Sequence, residues 1–369
     1  MAGQNTSTHD TKVVKVKYKC ATICAILAFA CIQAGCGNAK EAESRMVTAA
    51  AIDSTIVAER ERSNLWAARH TPWELTHAAI GLGMGSPMLD LDGKNRISLE
   101  QYFFDDSHHF GSPIFKLEGS DLTIRLAAFV GEMEGHDCQF LAYFALTGVA
   151  LDTVIRLSGR NFEVSDLVEA AKRRFHPEAY KDVAYVLIAM SHYLSLKERW
   201  TNVYGKEMSI ETLLNLAVEQ DDRVGACGGT HRLFGLALAL RRFEGEFVPS
   251  VSPWKEATAV LKSQLVRLRS GRDSDGSIRP SVIHMRDSDR WQDRLYSTGH
   301  SMEWAAVYLS DGELQADWVQ NAVKYLIRTL NSNRGADATG SRYHALHALR
   351  LYRQRIDAWQ STETRTDGP

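Results

Sequence analysis

The chain has 369 residues, 44% of them hydrophobic and 24% charged, with a formal net charge of −2. That length suits one large domain or two small ones. The near-neutral balance, without a basic stripe, argues against nucleic acid as a partner. Four of the six cysteines, Cys20, Cys24, Cys31 and Cys36, fall in the first stretch of the chain. Cys138 and Cys227 alone make no disulfide framework, so stability has to come from a core.

Lys12, Lys15, Lys17 and Lys19 precede an apolar run from Cys20 to Ala34. A basic flank, a short apolar run and small residues after it read as a secretory signal. The run is short for a membrane-spanning helix. Ala34-Gly35-Cys36 resembles the end of a bacterial lipoprotein signal, which implies lipidation of Cys36, although Gln33 stands where that pattern usually has Leu. The expectation is a leader over 1–36, a tether over 37–45 and export to the cell envelope. Membrane contact would then run only through a lipid on Cys36, with plain secretion as the alternative.

Further along, Thr71, Pro72 and Glu74 spell a capping box, and predict a helix from "TPWELTHAAIGLG". Five more starts resemble it: Glu134, Glu178, Gly228, Ser297 and Ser341. All six segments are apolar on most faces, as buried helices are. Between them lie amphipathic, charged stretches such as "VSDLVEAAKRRF", "SIETLLNLAVEQ" and "SPWKEATAVLKSQLVRLR". Those suit an outer layer, their charges solvated. A second periodicity agrees: Gly159 and Gly205 open aligned segments roughly 46 residues apart, each a tight turn, a short extended piece and a helix. "DLDGKNRISLEQYF" around Gly93 fits the same pattern.

The predicted fold class is therefore all-α: an α/α toroid of about six helical hairpins over 46–357, with short β-hairpin insertions and a disordered tail over 358–369. This alternation resembles the toroids of terpenoid cyclases, protein prenyltransferases and several carbohydrate-active enzymes. "SDGSIRP", Ser274 to Pro280, resembles the Asp-Gly-Ser turn of the cyclase and prenyltransferase repeats, with Ile278 in place of the usual aromatic. "CGGTHRLFGL" and "TGHSMEW" are similar to segments of an uncharacterised family of exported bacterial proteins. The resemblance implies a fold and no activity. The Asp-x-Asp-Asp acid motif of squalene-type cyclases is missing, and no Asp-x-Cys zinc partner accompanies "SRYHALHALRLY". With Thr230 three residues after Cys227, the thioester of complement-type toroids cannot form.

His77, His136, His231, His300 and His344 each fall early in an expected buried helix, with His347 just behind. In a toroid the inner helices run parallel, so these histidines would meet at one mouth lined by helix N-termini. Neutral imidazoles there suit general base work or metal binding. Candidate catalytic residues are His231 or His344 as base and Tyr343 or Glu303 as acid. Arg232, His77, Asp137 and Gln139 are candidate substrate binders, Arg232 for an anionic group. His136, Cys227, His231 and His300 are candidate ligands of a metal, zinc suiting Cys and His donors. Glu134 and Asp137 could also act as a carboxylate pair. Cys138 reads as a small buried residue. The pair His108-His109, with Asp105 and Asp106, gives a weaker metal signal.

These residues point to an exported hydrolase or lyase acting on a glycan, with a polysaccharide or other envelope ligand as partner. One alternative is a non-catalytic envelope protein that binds through the same funnel. A terpenoid cyclase- or prenyltransferase-like enzyme is another.

Overall fold

Thr48 opens the first described helix, α1 (Ala49–Arg62), by accepting the Ala51 N–H. Thr71 opens α2 (Pro72–Leu82), and the box read from sequence forms in full. The Thr71 hydroxyl accepts the Glu74 N–H at 3.2 Å, and the Glu74 carboxylate accepts the Thr71 N–H at 2.8 Å. The computed structural model describes residues 47–105, 108–109, 111–126, 133–178, 183–221, 225–333 and 339–366. By its contacts the chain divides after Met46, and all of these residues belong to the unit Val47–Pro369. The expected leader, Cys36 and the tether lie outside the described residues, as does Asp106.

The described residues are about 57% helical, with thirteen α-helices among them. The remaining regular structure among the described residues is two short 3-10 helices, Ala226–Gly229 and Pro280–Ile283, and five antiparallel two-stranded hairpins: β1 (Pro87–Leu89) with β2 (Arg96–Ser98), β3 (His108–His109) with β4 (Ser112–Pro113), β5 (Phe115–Glu118) with β6 (Asp121–Ile124), β7 (Val154–Leu157) with β8 (Arg160–Glu163), and β9 (Arg199–Thr201) with β10 (Glu207–Ser209). Three of them turn at Gly93, Gly159 and Gly205, all with positive φ, the turns that the repeat predicted. No described helix is long and apolar enough to cross a membrane.

Six helices carry most of the core: α2, α4 (Gln139–Leu146), α6 (Ala184–Tyr193), α8 (Thr230–Arg242), α10 (Trp291–Tyr308) and α13 (Thr339–Thr366). α2 packs on α4, α4 on α6, α6 on α8, α8 on α10, α10 on α13, and α13 on α2. Six others bury one stripe each: α1, α3 (Leu99–Phe104), α5 (Val164–Arg174), α7 (Ile210–Glu219), α9 (Trp254–Ser270) and α12 (Asp317–Ser332). In α7 the stripe is Ile210, Leu213, Leu214 and Ala217, the spacing of one helical face. Burying each such Leu or Ile contributes about 1.5–3 kcal/mol. A single turn, α11 (Asp311–Leu314), joins α10 to α12.

Close approach of α10 and α13 depends on Gly299. A Cβ there would lie 2.9 Å from the Ala345 nitrogen, nearer than real side chains come. Arginines satisfy the opposite ends of these helices. Arg350 donates to the Ala79 and Ile80 carbonyls near the end of α2, and Arg355 donates to those of Ala306, Val307 and Leu309 at the end of α10. Cations suit helix C-termini because the last carbonyls have no partner within the helix.

Several boundaries differ from the sequence reading: α4 begins at Gln139 and α6 at Ala184, later than the starts read at Glu134 and Glu178. α10 begins at Trp291 rather than near Ser297, because nothing in "DSDRWQDRLYSTG" marks its start: Arg290 occupies the N-cap and makes no side-chain cap bond. α13 continues to Thr366, past residue 357 where a tail was expected.

Candidate functional site

Four of the six core helices bring polar side chains to one place. α2 supplies His77, α8 His231, α10 His300 and Glu303, and α13 His344 and His347. All six residues are between 1% and 4% exposed. His344 is central: its ring centroid is 3.8 Å from that of His300, 5.2 Å from that of His231 and 5.2 Å from that of His77. Glu303 lies behind it, accepting from His344 Nδ1 at 2.9 and 3.1 Å and from His347 Nδ1 at 2.7 Å. Both histidines therefore carry their proton on Nδ1 and present a basic Nε2.

The other tautomers follow from their partners. His77 Nδ1 lies 2.6 Å from the Trp73 carbonyl, so it donates, and Nε2 accepts from the Tyr143 hydroxyl at 3.3 Å. His300 Nδ1 donates to the Tyr296 carbonyl at 2.9 Å. Nε2 of His231, His300 and His347 has no hydrogen-bond partner among the described residues. Buried polar atoms are nearly always satisfied, so three bare imidazole nitrogens in one cluster call for a ligand or a reaction.

Burial dominates the electrostatics. It lowers the pKa of His77 to about 4 and that of His300 to about 3, and holds His231 and His344 well below the ordinary value. The neighbouring histidines add to the shift at His231. Desolvation, not the helix N-termini expected from sequence, is the main cause. These rings are neutral at pH 7, the state that binds metals and accepts protons.

Cys227 reaches the cluster from the loop before α8. It has left-handed backbone angles, φ 52° and ψ 42°, and Gly228 and Gly229 follow at φ 67° and 78°. The Tyr296 hydroxyl hydrogen-bonds Cys227; burial first and this cysteine second hold that phenol well above its usual pKa. The ligand atoms of Cys227, His231 and His300 all lie within 4.8 Å of one another, and so do those of His300, Glu303 and His344. These buried groups can hold a metal ion. Gly228 fixes the loop: a Cβ there would lie 1.9 Å from the Ile283 carbonyl oxygen. Gly228→Ala is expected to lower stability by about 2–3 kcal/mol, through left-handed strain plus this clash. A thermal melt that does not move would contradict it.

Several expected residues are elsewhere. His136 is outside both metal-capable groups, its ring 5.4 Å from that of Tyr185. The buried guanidinium of Arg232 donates to the Ala217 and Gln220 carbonyls at 2.9 and 2.8 Å, so it caps the end of α7 instead of reaching an anionic ligand. Gln139 is spent on the Gly135 N–H and the Tyr185 hydroxyl. Asp137, Glu134 and Cys138 line a different cleft, of about 150 Å³, between β5–β6 and helices α4 and α5. There Glu134 accepts the Phe140 N–H at 2.8 Å, serving the start of α4. Tyr343 is buried at the contact of α13 with Gly81 of α2. His108 and His109 form strand β3, and Asp105 pairs with Arg156 at 2.9 Å.

Three tyrosines complete the perimeter and were not foreseen. Tyr143 of α4 meets His77, Tyr185 of α6 lies 5.0 Å from His231, and Tyr296 lies 4.1 Å from His300, measured between ring centroids in the last two cases. The usable signal was a hydroxyl-bearing ring in the first turns of otherwise apolar helices. Comparison with protein-family models, with curated proteins and with solved structures found no match for this chain.

Proposed function

We propose that the protein is an extracytoplasmic α/α toroid and an enzyme, a hydrolase or lyase acting on a glycan at the histidine cluster, with zinc as cofactor. The toroid reading is supported by the order of core contacts, which runs from α2 through α13 and returns to α2. The enzymatic reading is carried by one observation: Glu303 holds His344 through Nδ1 and leaves its Nε2 as a base facing three other rings. A carboxylate that fixes the tautomer of a histidine is a recurrent device of proton transfer. The aromatic rings of Tyr143, Tyr185, Tyr296 and Trp73 pack against the histidines of the cluster, and aromatic faces are the kind of surface that suits a sugar. Zinc is proposed because the donors are a thiol and imidazoles. The location proposed is the cell envelope, with a lipid on Cys36 as anchor.

A polysaccharide screen tests this reading. His344→Gln should reduce turnover by about 10²–10⁴-fold, the usual size of a general base contribution. One rival has an observation in its favour: His231, His300 and His344 are at most 4% exposed, which suits a sealed binding or structural core. Saturable glycan binding without turnover would select that rival.

A further inference from the structure

The geometry points to an open, three-ligand divalent-metal site made of Cys227 Sγ, His231 Nε2 and His300 Nε2, with His344 beside it as a base and not as a ligand. Its catalytic role rests on the enzymatic reading above; its occupancy does not.

Two groups compete for the ion, and they share His300, so only one can be filled at a time. In the second group the Glu303 carboxylate is already engaged by the Nδ1–H of His344 and of His347. Binding a metal there would break contacts that are made. In the first group both imidazole nitrogens are bare and buried, His231 at 4% and His300 at 1% exposure. They lose nothing by binding. The Nδ1–H of His300 is fixed on the Tyr296 carbonyl, the outer hydrogen bond that metal-binding histidines usually make. The Tyr296 hydroxyl rests on Cys227, where it can support a thiolate.

The spacing fits. Donors about 2.0–2.3 Å from one tetrahedral ion stand roughly 3.3–3.8 Å apart, and these three lie within 4.8 Å. The donors have to draw together by about an ångström to reach one ion. Three protein ligands leave one position of a tetrahedral zinc for water or substrate, the arrangement of catalytic rather than structural sites. His344 stands against both ligand rings, at 3.8 Å and 5.2 Å between centroids, with its proton held away on the Glu303 side. Its Nε2 is placed to take a proton from whatever occupies the open position. His136 has no part in the site.

The test uses the full chain, stripped with chelator, reloaded with zinc or cobalt(II) and desalted. About one equivalent should be retained by the wild type, by His136→Gln and by His344→Gln, while Cys227→Ser, His231→Gln and His300→Gln should each fall below about a tenth. Circular dichroism of the metal-free variants confirms that loss of metal is not loss of fold. Azide, added to the cobalt(II) protein, should shift its visible spectrum by entering the open position. Wild type holding less than about a tenth of an equivalent overturns the site. Loss of metal in His344→Gln, or a spectrum blind to azide, overturns its openness and makes it a closed structural site. Metal and azide binding without glycan turnover would uphold the site and remove only the glycan reading.

Discussion

Acidification of the metal-free protein from pH 7 to pH 5.5 is expected to lower its stability by about 3 kcal/mol or more. His77 and His300 titrate near the ordinary value of 6.5 when unfolded, but only at about 4 and about 3 when folded. Below pH 6.5 the unfolded chain therefore binds protons that the folded chain refuses. Stability is full above pH 6.5 and falls as pH drops toward the folded values. One unit below 6.5, each of the two rings costs about 1.4 kcal/mol, or about 3 kcal/mol together. His231 and His344 are shifted in the same direction and add to the loss. Glu303 opposes it at His300 and His77 by favouring their charged forms, though less than burial disfavours them. Against a typical total of about 5–15 kcal/mol, this should bring unfolding close to pH 5. Urea midpoints across pH 5–8, with chelator present, check it. Midpoints that stay level from pH 7.5 to 5 would mean that the rings are hydrated.

Removing the Glu303 carboxylate should be the most damaging single change in the cluster. Glu303→Ala removes the acceptor of the Nδ1–H of His344 and of His347, both in residues at most 4% exposed. An unsatisfied buried donor costs about 1–3 kcal/mol, and two of them with a cavity amount to about 3–5 kcal/mol. Glu303→Gln keeps the volume and one carbonyl oxygen, so about half of that loss should return. Chemical denaturation of both variants at pH 7.5 measures the difference. A loss under about 1 kcal/mol for Glu303→Ala would mean that the shared carboxylate does not hold the two rings.

Elements with local punctuation were legible in the sequence. The Thr71–Glu74 box and the turns at Gly159 and Gly205 form as read. Convergence of His77, His231 and His344 was legible too, because early positions in several buried helices placed them alike, whereas His300 joins them from the middle of α10. What failed depends on direction rather than position. Arg232 sits next to His231, yet its guanidinium runs back to carbonyls at the end of α7; no local pattern tells a capping arginine from a ligand-binding one. His136 precedes α4 instead of lying in it, since the helix begins only at Gln139. Glu303 was read as an acid at a helix start. It lies deep in α10, because the helix begins earlier than any cap signal indicated, and there it orients His344.

The contact of α13 with α2 joins helices from opposite ends of the described chain. During synthesis α2 leaves the ribosome long before α13 exists, so the side of α2 that α13 will cover stays without its partner until α13 has been made. Such a late, long-range pairing slows folding and leaves apolar surface open to aggregation while it waits. The histidine cluster inherits that delay. His344, His347 and their bonds to Glu303 arrive with the last helix, so a nascent or truncated chain is chemically unfinished as well as unfolded. The cluster is incomplete until α13 has docked on α10 and α2.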